Sequence, residues 1–471
     1  MKFHWFHLMP WSELPDDFQE KHRSVWVDPD YALYDPEKGN ALYNEYLDEL
    51  EFAEKCGFDG LGINEHHSNA YGMMPSPNLM AAALARRTSK AALLVMGNSI
   101  ALYNPAVRVA EEFAMLDVIS GGRLIAGFPV GTSMDDNFAY GITPATLRDR
   151  YYEAHDLILQ AWKDKGVSAF NGKYNQVRYL NPWPRPLQQP HPPIWIPGGG
   201  SVETWDWCAE MDYLYSYLSY SGYLRAEAMM NKWWARVDAR NKERNPFQAG
   251  FAQVVCVADS DAEAKKLYER HVDYFYNRCL HVYPGFAAAP GYQTKATVKQ
   301  GIKGQIEMQK AIAVERQSWD AMVENGYVIA GSPDTVSEKL EQLADKLHVG
   351  HLMLLQQIGN MPRDLTLYNT QMFAEKVMPR FKDKFEREYV DYWMPKPMAA
   401  EKRAAPIPAE LQDHRALALA GAQGGAGARF EQFAPPLPPG VGEGPGGVRA
   451  PYPAGASVTG GSARQNVSQL P

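Results

Sequence analysis

The chain has 471 residues and a formal net charge of −8, with 45% hydrophobic and 22% charged residues. An acidic chain of ordinary globular composition does not suit nucleic acid or an anionic membrane surface, because both need a basic face. The four cysteines are scattered and form no C-x-x-C pair, which disfavours zinc and a disulfide framework. With no signal peptide and no apolar run of membrane-spanning length, we expect a cytoplasmic protein.

Short apolar runs alternate with helical patterns up to about residue 380. This alternation predicts βα units that share a parallel sheet. Eight strands are predicted, at residues 2–8, 58–63, 92–100, 123–128, 193–196, 211–218, 251–257 and 350–355. Eight βα units form either a closed (β/α)8 TIM barrel or an open doubly wound sheet, and the count of eight favours the barrel.

Apolar residues spaced three and four apart predict the helices between the strands. One series follows a Ser332-Pro333-Asp334 start, which offers a capping hydroxyl and a proline for the first turn. Its apolar members are Val336, Leu340, Leu343 and Leu347.

Three stretches interrupt the alternation: residues 9–41, residues 170–192, and residues 277–331, the last with a helical piece near 306–314. Loops after barrel strands carry the site, so these insertions in the βα loops are candidate lids. Packing or oligomer contacts are the alternative for each of them. Beyond them, residues 399–471 are rich in Ala, Gly and Pro, a composition that predicts a disordered C-terminal tail after a barrel domain of residues 1–398.

The second predicted strand ends in Glu65-His66-His67, at the position where barrel enzymes place catalytic groups. Imidazole exchanges protons near neutral pH, and Glu65 is placed to orient a ring or raise its basicity. The alternative is a pair of surface or metal-ligating histidines. Adjacent side chains on an extended segment point opposite ways, so the two rings are not expected to share one ion, and no metal is predicted.

Two further strand ends are rich in glycine. Gly127, Pro129 and Gly131 follow the fourth strand, where glycines allow the backbone to approach a flat ligand, and a plain tight loop is the alternative. Gly200, Ser201 and Thr204 follow the fifth strand and begin a helix. Backbone N–H groups and hydroxyls at a helix start suit a phosphate, and an N-cap without a ligand is the alternative.

Taken together and in this order, these strings resemble the bacterial luciferase-like flavin-dependent monooxygenase superfamily over about residues 1–380. The motifs that carry the resemblance are Glu65-His66-His67 with Tyr71-Gly72, Asn104-Pro105 before the helix of Arg108 to Glu112, Leu116-Asp117 with Ser120-Gly121-Gly122-Arg123, Tyr140-Gly141, the turn from Pro193 to Thr204, and Gly331-Ser332-Pro333.

The resemblance implies that reduced FMN reacts with O2 to form a C4a-hydroperoxyflavin, which oxygenates a substrate in a closed pocket. It implies that His66 is the acid/base beside the flavin ring, with Glu65 next to it. Gly97, Asn98 and Ser99 match the segment under the ring, which in this family can contain a non-proline cis peptide. Ser201 and Thr204 match hydroxyls that bind the phosphate.

The chain departs from luciferase at two positions. The reactive cysteine of luciferase falls on Pro129, and its phosphate-binding arginine falls on Val130, so light emission is not expected. Arg148 and Arg150 are then the candidate cations for the phosphate.

We therefore expect a monooxygenase that acts on a small apolar substrate and receives reduced FMN from a separate NAD(P)H:flavin reductase, with a possible homodimer. An F420-dependent hydride-transfer enzyme of the same fold is one alternative. A non-catalytic flavin-binding protein is the other.

Overall fold

Parallel strands form the centre of the computed structural model, which describes residues 1–131, 133–218, 220–287, 290–292 and 318–404. The barrel strands are buried almost throughout, as expected for parallel strands covered by helices. The described strands are β1 (Lys2–Phe6), β2 (Gly60–Ile63), β3 (Ala92–Val95), β4 (Leu124–Gly127), β5 (Ser168–Asn171), β6 (Gln176–Leu180), β7 (Ile194–Gly198), β8 (Leu214–Tyr217), β9 (Ala249–Val257), β10 (Val328–Gly331) and β11 (His351–Leu355).

Eight of these strands close on themselves in the order β1-β2-β3-β4-β7-β8-β9-β11 and back to β1. Tyr215 of β8 lies opposite Ala249 of β9, and Lys2 of β1 lies opposite His351 of β11, so the ring has no open edge. All eight strands run in one direction, which places their carboxyl ends at the same end of the barrel. The predicted TIM barrel and its eight strands are confirmed.

The predicted strand ends differ from the observed ones where the site begins. The third strand, predicted over residues 92–100, ends at Val95. The chain then turns through a cis Met96–Gly97 peptide instead of continuing the ladder. Apolar residues after Val95 lengthened the predicted strand, although they pack against the end of the barrel and not within the sheet.

The alternation does not predict the remaining three described strands. The four-residue β10 lies in the predicted insertion 277–331. It pairs with β9 from Val254 to Val257, on the same side of β9 as β8, whose own pairing with β9 ends at Phe251. Strands β5 and β6 form an antiparallel hairpin that overlaps the predicted excursion 170–192. These strands are short and lie outside the barrel ring, so they lack the long apolar runs of the others.

The predicted helix after Ser332 is confirmed. Ser332 Oγ accepts the N–H of Thr335 at 3.2 Å, and Pro333 occupies the first turn of this helix. Its apolar series is fully buried against the barrel. The helical piece predicted near 306–314 lies outside the described residues.

The described helices are α1 (Phe18–Lys21), α2 (Pro36–Lys55), α3 (Pro77–Arg87), α4 (Val107–Ser120), α5 (Met134–Tyr140), α6 (Leu147–Lys163), α7 (Val202–Glu210), α8 (Tyr223–Asp238), α9 (Asp261–Tyr274), α10 (Pro284–Ala287), α11 (Trp319–Glu324), α12 (Pro333–Leu347) and α13 (Arg363–Met372), with π turns at Phe275–Cys279 and Phe373–Val377.

After α13 the chain returns across the amino-terminal end of the barrel. Trp393 is central to this segment, because its carbonyl accepts the indole N–H of Trp195 and its own indole N–H donates to the Asp212 carbonyl, both at 2.9 Å. Arg403 reaches the carbonyl of Ser89 just before β3. Residues 1–404 form one compact unit. The predicted disordered tail, residues 399–471, thus has its first six residues within this unit, and residues 405–471 lie outside the described residues.

Within the described part of the chain, no helix is both long enough and apolar enough to cross a membrane.

Candidate active site

The end of β2 sends its two histidines in opposite directions, as expected for an extended segment. His67 Nε2 contacts Glu65 Oε1 at 2.9 Å, and its ring meets the ring of Tyr140 edge-on. Glu65 also accepts the hydroxyl of Tyr103 at 2.8 Å and the backbone N–H of Ser99 at 2.7 Å. The buried Glu65 carboxylate thus joins the end of β2 to the loop that follows β3.

His66 has a different carboxylate partner, which sequence reasoning missed. Its Nδ1 lies 3.3 Å from Oδ2 of Asp135 in α5, and Asn69 Nδ2 donates to the same oxygen at 3.0 Å. The sequence predicts Glu65 as the group that orients the imidazole. This is a correction for His66: Glu65 orients His67, and Asp135 lies beside His66. The signal for Asp135 is weak, because it stands 69 residues away on a short helix.

The two acidic residues at the start of α5 carry opposite pKa shifts. Burial acts to raise the pKa of the Asp135 carboxyl, but hydrogen bonds with His66, Ser133 and Asn69 hold it below its ordinary value. Burial raises the pKa of Asp136 well above its ordinary value, and the charges of Asp135 and Glu65 add to this. The surroundings thus favour the ionised form of Asp135 and the protonated form of Asp136. His66, Asp135 and Asp136 each bring one possible ligand atom within 4.8 Å of the others, although the sequence predicts no metal.

The ends of β3 and β4 approach each other through glycines. A Cβ on Gly97 would lie 1.9 Å from the carbonyl oxygen of Gly127, so no other residue fits there. The N–H of Asn98 donates to that carbonyl at 3.1 Å. The Asn98 side chain is buried and exchanges hydrogen bonds with Asn78 at 2.8 and 3.0 Å, so it faces α3. The 97–99 segment therefore offers backbone, and not the Asn98 amide, to a ligand.

The loop after β4 packs directly on this segment. A Cβ on Gly97 would lie 2.9 Å from Cδ of Pro129, and a Cβ on Gly131, whose φ is +74°, would lie 2.8 Å from Cβ of Ser99. Sequence-predicted residues of two strand ends are thus brought into contact. Asp136 lies close to Ser99 and Gly131, which connects this loop to the acidic pair.

The end of β7 meets α6 through an arginine. Arg148 Nη2 donates to Ser201 Oγ at 2.9 Å and to the hydroxyl of Tyr292 at 2.7 Å. The side chain of Thr204 also hydrogen bonds Tyr292. Burial acts to lower the pKa of Arg148, but its tyrosine and Glu203 neighbours raise it above its ordinary value, so the guanidinium stays cationic.

Of the two candidate cations, only Arg148 contacts the predicted hydroxyls among the described residues. Arg150 stacks on the ring of Tyr174 at 4.4 Å and donates to Thr146, on the hairpin side of α6. Gly200, with a φ of +111°, makes the turn before Ser201. Its own position is crowded, because a Cβ there would lie 2.1 Å from Cε of Met229.

Aromatic rings surround His66. Trp26, from the 9–41 connection, stacks on the imidazole at 6.2 Å, and Tyr71 meets it edge-on at 4.9 Å. The hydroxyl of Tyr71 contacts that of Tyr220, and Phe275 packs against both rings. Trp26 of the predicted insertion 9–41 and Phe275, which lies just before the predicted insertion 277–331, therefore contribute with Tyr71 and Tyr220 to an apolar wall over His66.

These features are accompanied by similarity to known proteins. A sequence model described as luciferase-like monooxygenase matches residues 27–348, so the chain belongs to that family, and the resemblance drawn from the sequence is confirmed. The chain is 26% identical over 360 residues to uncharacterized protein y4wF of Sinorhizobium fredii, covering 74% of this chain and 96% of that protein. It is 21% identical over 373 residues to limonene 1,2-monooxygenase of Rhodococcus erythropolis, covering 78% and 88%.

Cofactor use varies among the relatives. The chain is 29% identical over 160 residues to an F420-dependent glucose-6-phosphate dehydrogenase of Amycolatopsis mediterranei, covering 32% of this chain and 46% of that enzyme. In fold it is similar to the oxygenating constituent of 3,6-diketocamphane monooxygenase of Pseudomonas putida in complex with FMN, with a TM-score of 0.58, 20% identity, and coverage of 72% and 94%. The homologues thus include monooxygenases as well as F420-dependent enzymes.

The Glu65 network predicts a stability effect. Glu65→Ala leaves the Ser99 N–H, the Tyr103 hydroxyl and His67 without their acceptor, and we expect the free energy of unfolding in urea to fall by about 3 kcal/mol. Glu65→Gln keeps one acceptor oxygen and is expected to lose less. A free energy of unfolding for Glu65→Ala within about 0.5 kcal/mol of the parent value would contradict the role of Glu65 in holding these loops together.

Proposed function

We propose that the protein is a flavin-dependent monooxygenase that uses reduced FMN and O2 to oxygenate a small apolar substrate, with the reduced flavin delivered by a separate reductase. The observation that carries the proposal is the grouping of two chemically different ends at the carboxyl side of one barrel. One end holds His66 and Asp135, with the neighbouring Glu65 bound to Ser99 of the 97–99 segment, and the other holds Arg148 beside Ser201, with Thr204 bound to Tyr292.

The residues at the cationic end fit a phosphate. Arg148 Nε is buried without a hydrogen-bond partner among the described residues, although its Nη2 is already bound. Ser201 stands at the N-cap of α7, where its Oγ accepts no backbone N–H and instead donates to Glu203 Oε2 at 3.0 Å. A Cβ on Gly199 would meet nothing within 4 Å, so there is space beside the turn. A phosphate there would take charge-assisted hydrogen bonds from Arg148 and the helix start.

The residues at the other end fit a flat ring. The close approach of Gly97 to Gly127 leaves a stretch of backbone without side chains, and His66, at the end of the neighbouring strand β2, keeps 18% of its side chain exposed. Asp135 occupies Nδ1, which leaves Nε2 as the nitrogen that can hold or give a proton toward a ligand. Reduced FMN, when bound, would supply the two electrons with which O2 yields one oxygen atom for the substrate and one for water.

The aromatic wall supports an apolar substrate and the exclusion of water. Trp26 covers the His66 ring, and Tyr71, Tyr220 and Phe275 extend the cover. A site lined in this way keeps bulk water from the reacting atoms, which oxygen transfer requires.

The test of the acid/base role is His66→Ala. We expect the rate of substrate oxygenation to fall by about 100-fold or more, while the dissociation constant for reduced FMN changes little, because the phosphate end is intact. His348→Asn is the matched control, since His348 precedes β11 at the opposite end of the barrel and ends α12 in a left-handed conformation that asparagine tolerates. Unchanged turnover in His66→Ala would contradict the acid/base role, whereas flavin binding by the parent without any O2-dependent oxygenation would favour a non-catalytic flavin-binding protein.

The test of the phosphate end is Arg148→Ala. Loss of a charge-assisted contact is expected to weaken FMN binding by about 10- to 100-fold and to leave the weaker binding of riboflavin, which lacks the phosphate, unchanged. Arg150→Ala is the control and should bind FMN like the parent, because Arg150 faces Tyr174. Equal losses for both ligands, or a loss only in Arg150→Ala, would contradict the assignment.

The same titrations separate FMN from F420. Tight binding of F420 with no consumption of O2 would replace the proposal with the hydride-transfer alternative.

A further inference from the structure

We propose that Asp135 is the positioning residue of His66, holding the Nδ1 hydrogen of the imidazole so that Nε2 is presented to the ligand. This inference rests on the proposed function of the site. The contact joins two different βα loops, because His66 follows β2 and Asp135 lies on α5 after β4. Asp135 touches neither substrate nor cofactor in this scheme and acts only through the ring of His66.

The surroundings of Asp135 fix one of its oxygens and keep water away. Its side chain is fully buried, with 0% exposed, while the paired His66 keeps 18% exposed. Asn69 donates to Oδ2 at 3.0 Å, and Asn69 Oδ1 in turn accepts the N–H of Tyr71 at 2.7 Å. Oδ2 is thereby anchored to the backbone of the same loop that carries His66. A charged acceptor held in this way favours the tautomer with hydrogen on Nδ1.

The other groups around the ring do not compete for this role. Burial and the charge of Asp135 raise the pKa of Asp136 well above its ordinary value, which disfavours its ionised form. Burial raises the pKa of Tyr71 well above its ordinary value, so its hydroxyl stays neutral and is paired with Tyr220. Trp26 covers the ring and carries no charge. Asp135, whose pKa is lowered, is therefore the anion that His66 faces.

A second histidine–carboxylate pair in the same barrel differs from the His66–Asp135 pair in its burial and pKa shifts. His7 Nε2 and Glu49 Oε2 lie 3.1 Å apart, with 0% and 2% of their side chains exposed. Burial lowers the pKa of His7 to about 3 and raises that of Glu49 well above its ordinary value. This closed pair is neutral and packs between β1 and α2. The His66–Asp135 pair keeps an ionised carboxylate and an exposed imidazole face, as a working pair needs.

The decisive variant is Asp135→Asn. The amide can donate to Nδ1 and so allows the other tautomer, with its hydrogen on Nε2. We expect turnover to fall by about 10- to 100-fold with the dissociation constant for reduced FMN unchanged. We also expect the limb of the pH–rate profile that His66 governs to move to lower pH, because a neighbouring anion favours the charged imidazole and is now gone.

A double-mutant cycle separates positioning from general damage to the fold. In a His66→Gln background, Asp135→Asn should cost no further turnover, because the group through which it acts is absent. Glu49→Gln is the matched control: it replaces a buried carboxyl of raised pKa next to a histidine with a neutral amide and should leave the pH–rate profile unchanged.

Each other outcome has a defined meaning. Additive losses in the cycle, or an unmoved pH limb in Asp135→Asn, would overturn the positioning role. Full turnover in His66→Ala would overturn this inference together with the acid/base role of His66, and loss in His66→Ala with full turnover in Asp135→Asn would overturn this inference alone. Absence of oxygenation by the parent protein supplied with reduced FMN and O2 would overturn the proposed function. Loss of turnover on dialysis against EDTA, restored by Zn²⁺ or Mg²⁺, would show that His66, Asp135 and Asp136 hold a cation and would also overturn it.

Discussion

The buried carboxylate of Glu65 connects the parts of the barrel that form the candidate site. By accepting the N–H of Ser99 it fixes the segment after β3 against the end of β2, and it contacts His67 while His66 contacts Asp135. An uncompensated carboxylate is costly to bury, so three donors around Glu65 also select one arrangement of these loops over others. The close approach of Gly97 to Gly127 then sets the level of the backbone on which a ligand would rest.

Much of the fold follows from sequence pattern, because closed barrels need buried parallel strands, and buried strands are continuous apolar runs. Eight such runs predict the eight barrel strands. Boundaries are less certain where apolar residues continue past the ladder, as after Val95. The four-residue β10 is as short and as buried as β2, β3, β4 and β8, but it lies in an insertion that interrupts the βα alternation, and it completes no part of the ring.

The candidate site is predicted where it lies at strand ends and missed where it depends on tertiary contact. His66 and Ser201 are indicated by their position after a strand. Asp135 comes to His66 only through the packing of α5 on the end of β2, which no local pattern reveals. Arg148 and Arg150 are equivalent in sequence, two residues apart on one helix, and they are distinguished only because that spacing points them to different sides of α6.

In the proposed function, one FMN molecule spans both ends of the site. A crystal structure of the protein with bound FMN tests it most directly. We expect the phosphate to bind Arg148, Ser201 and Thr204. We expect the flavin ring to lie over the 97–99 backbone with its edge toward His66. Phosphate bound elsewhere, or a ring that lies away from His66, would contradict it.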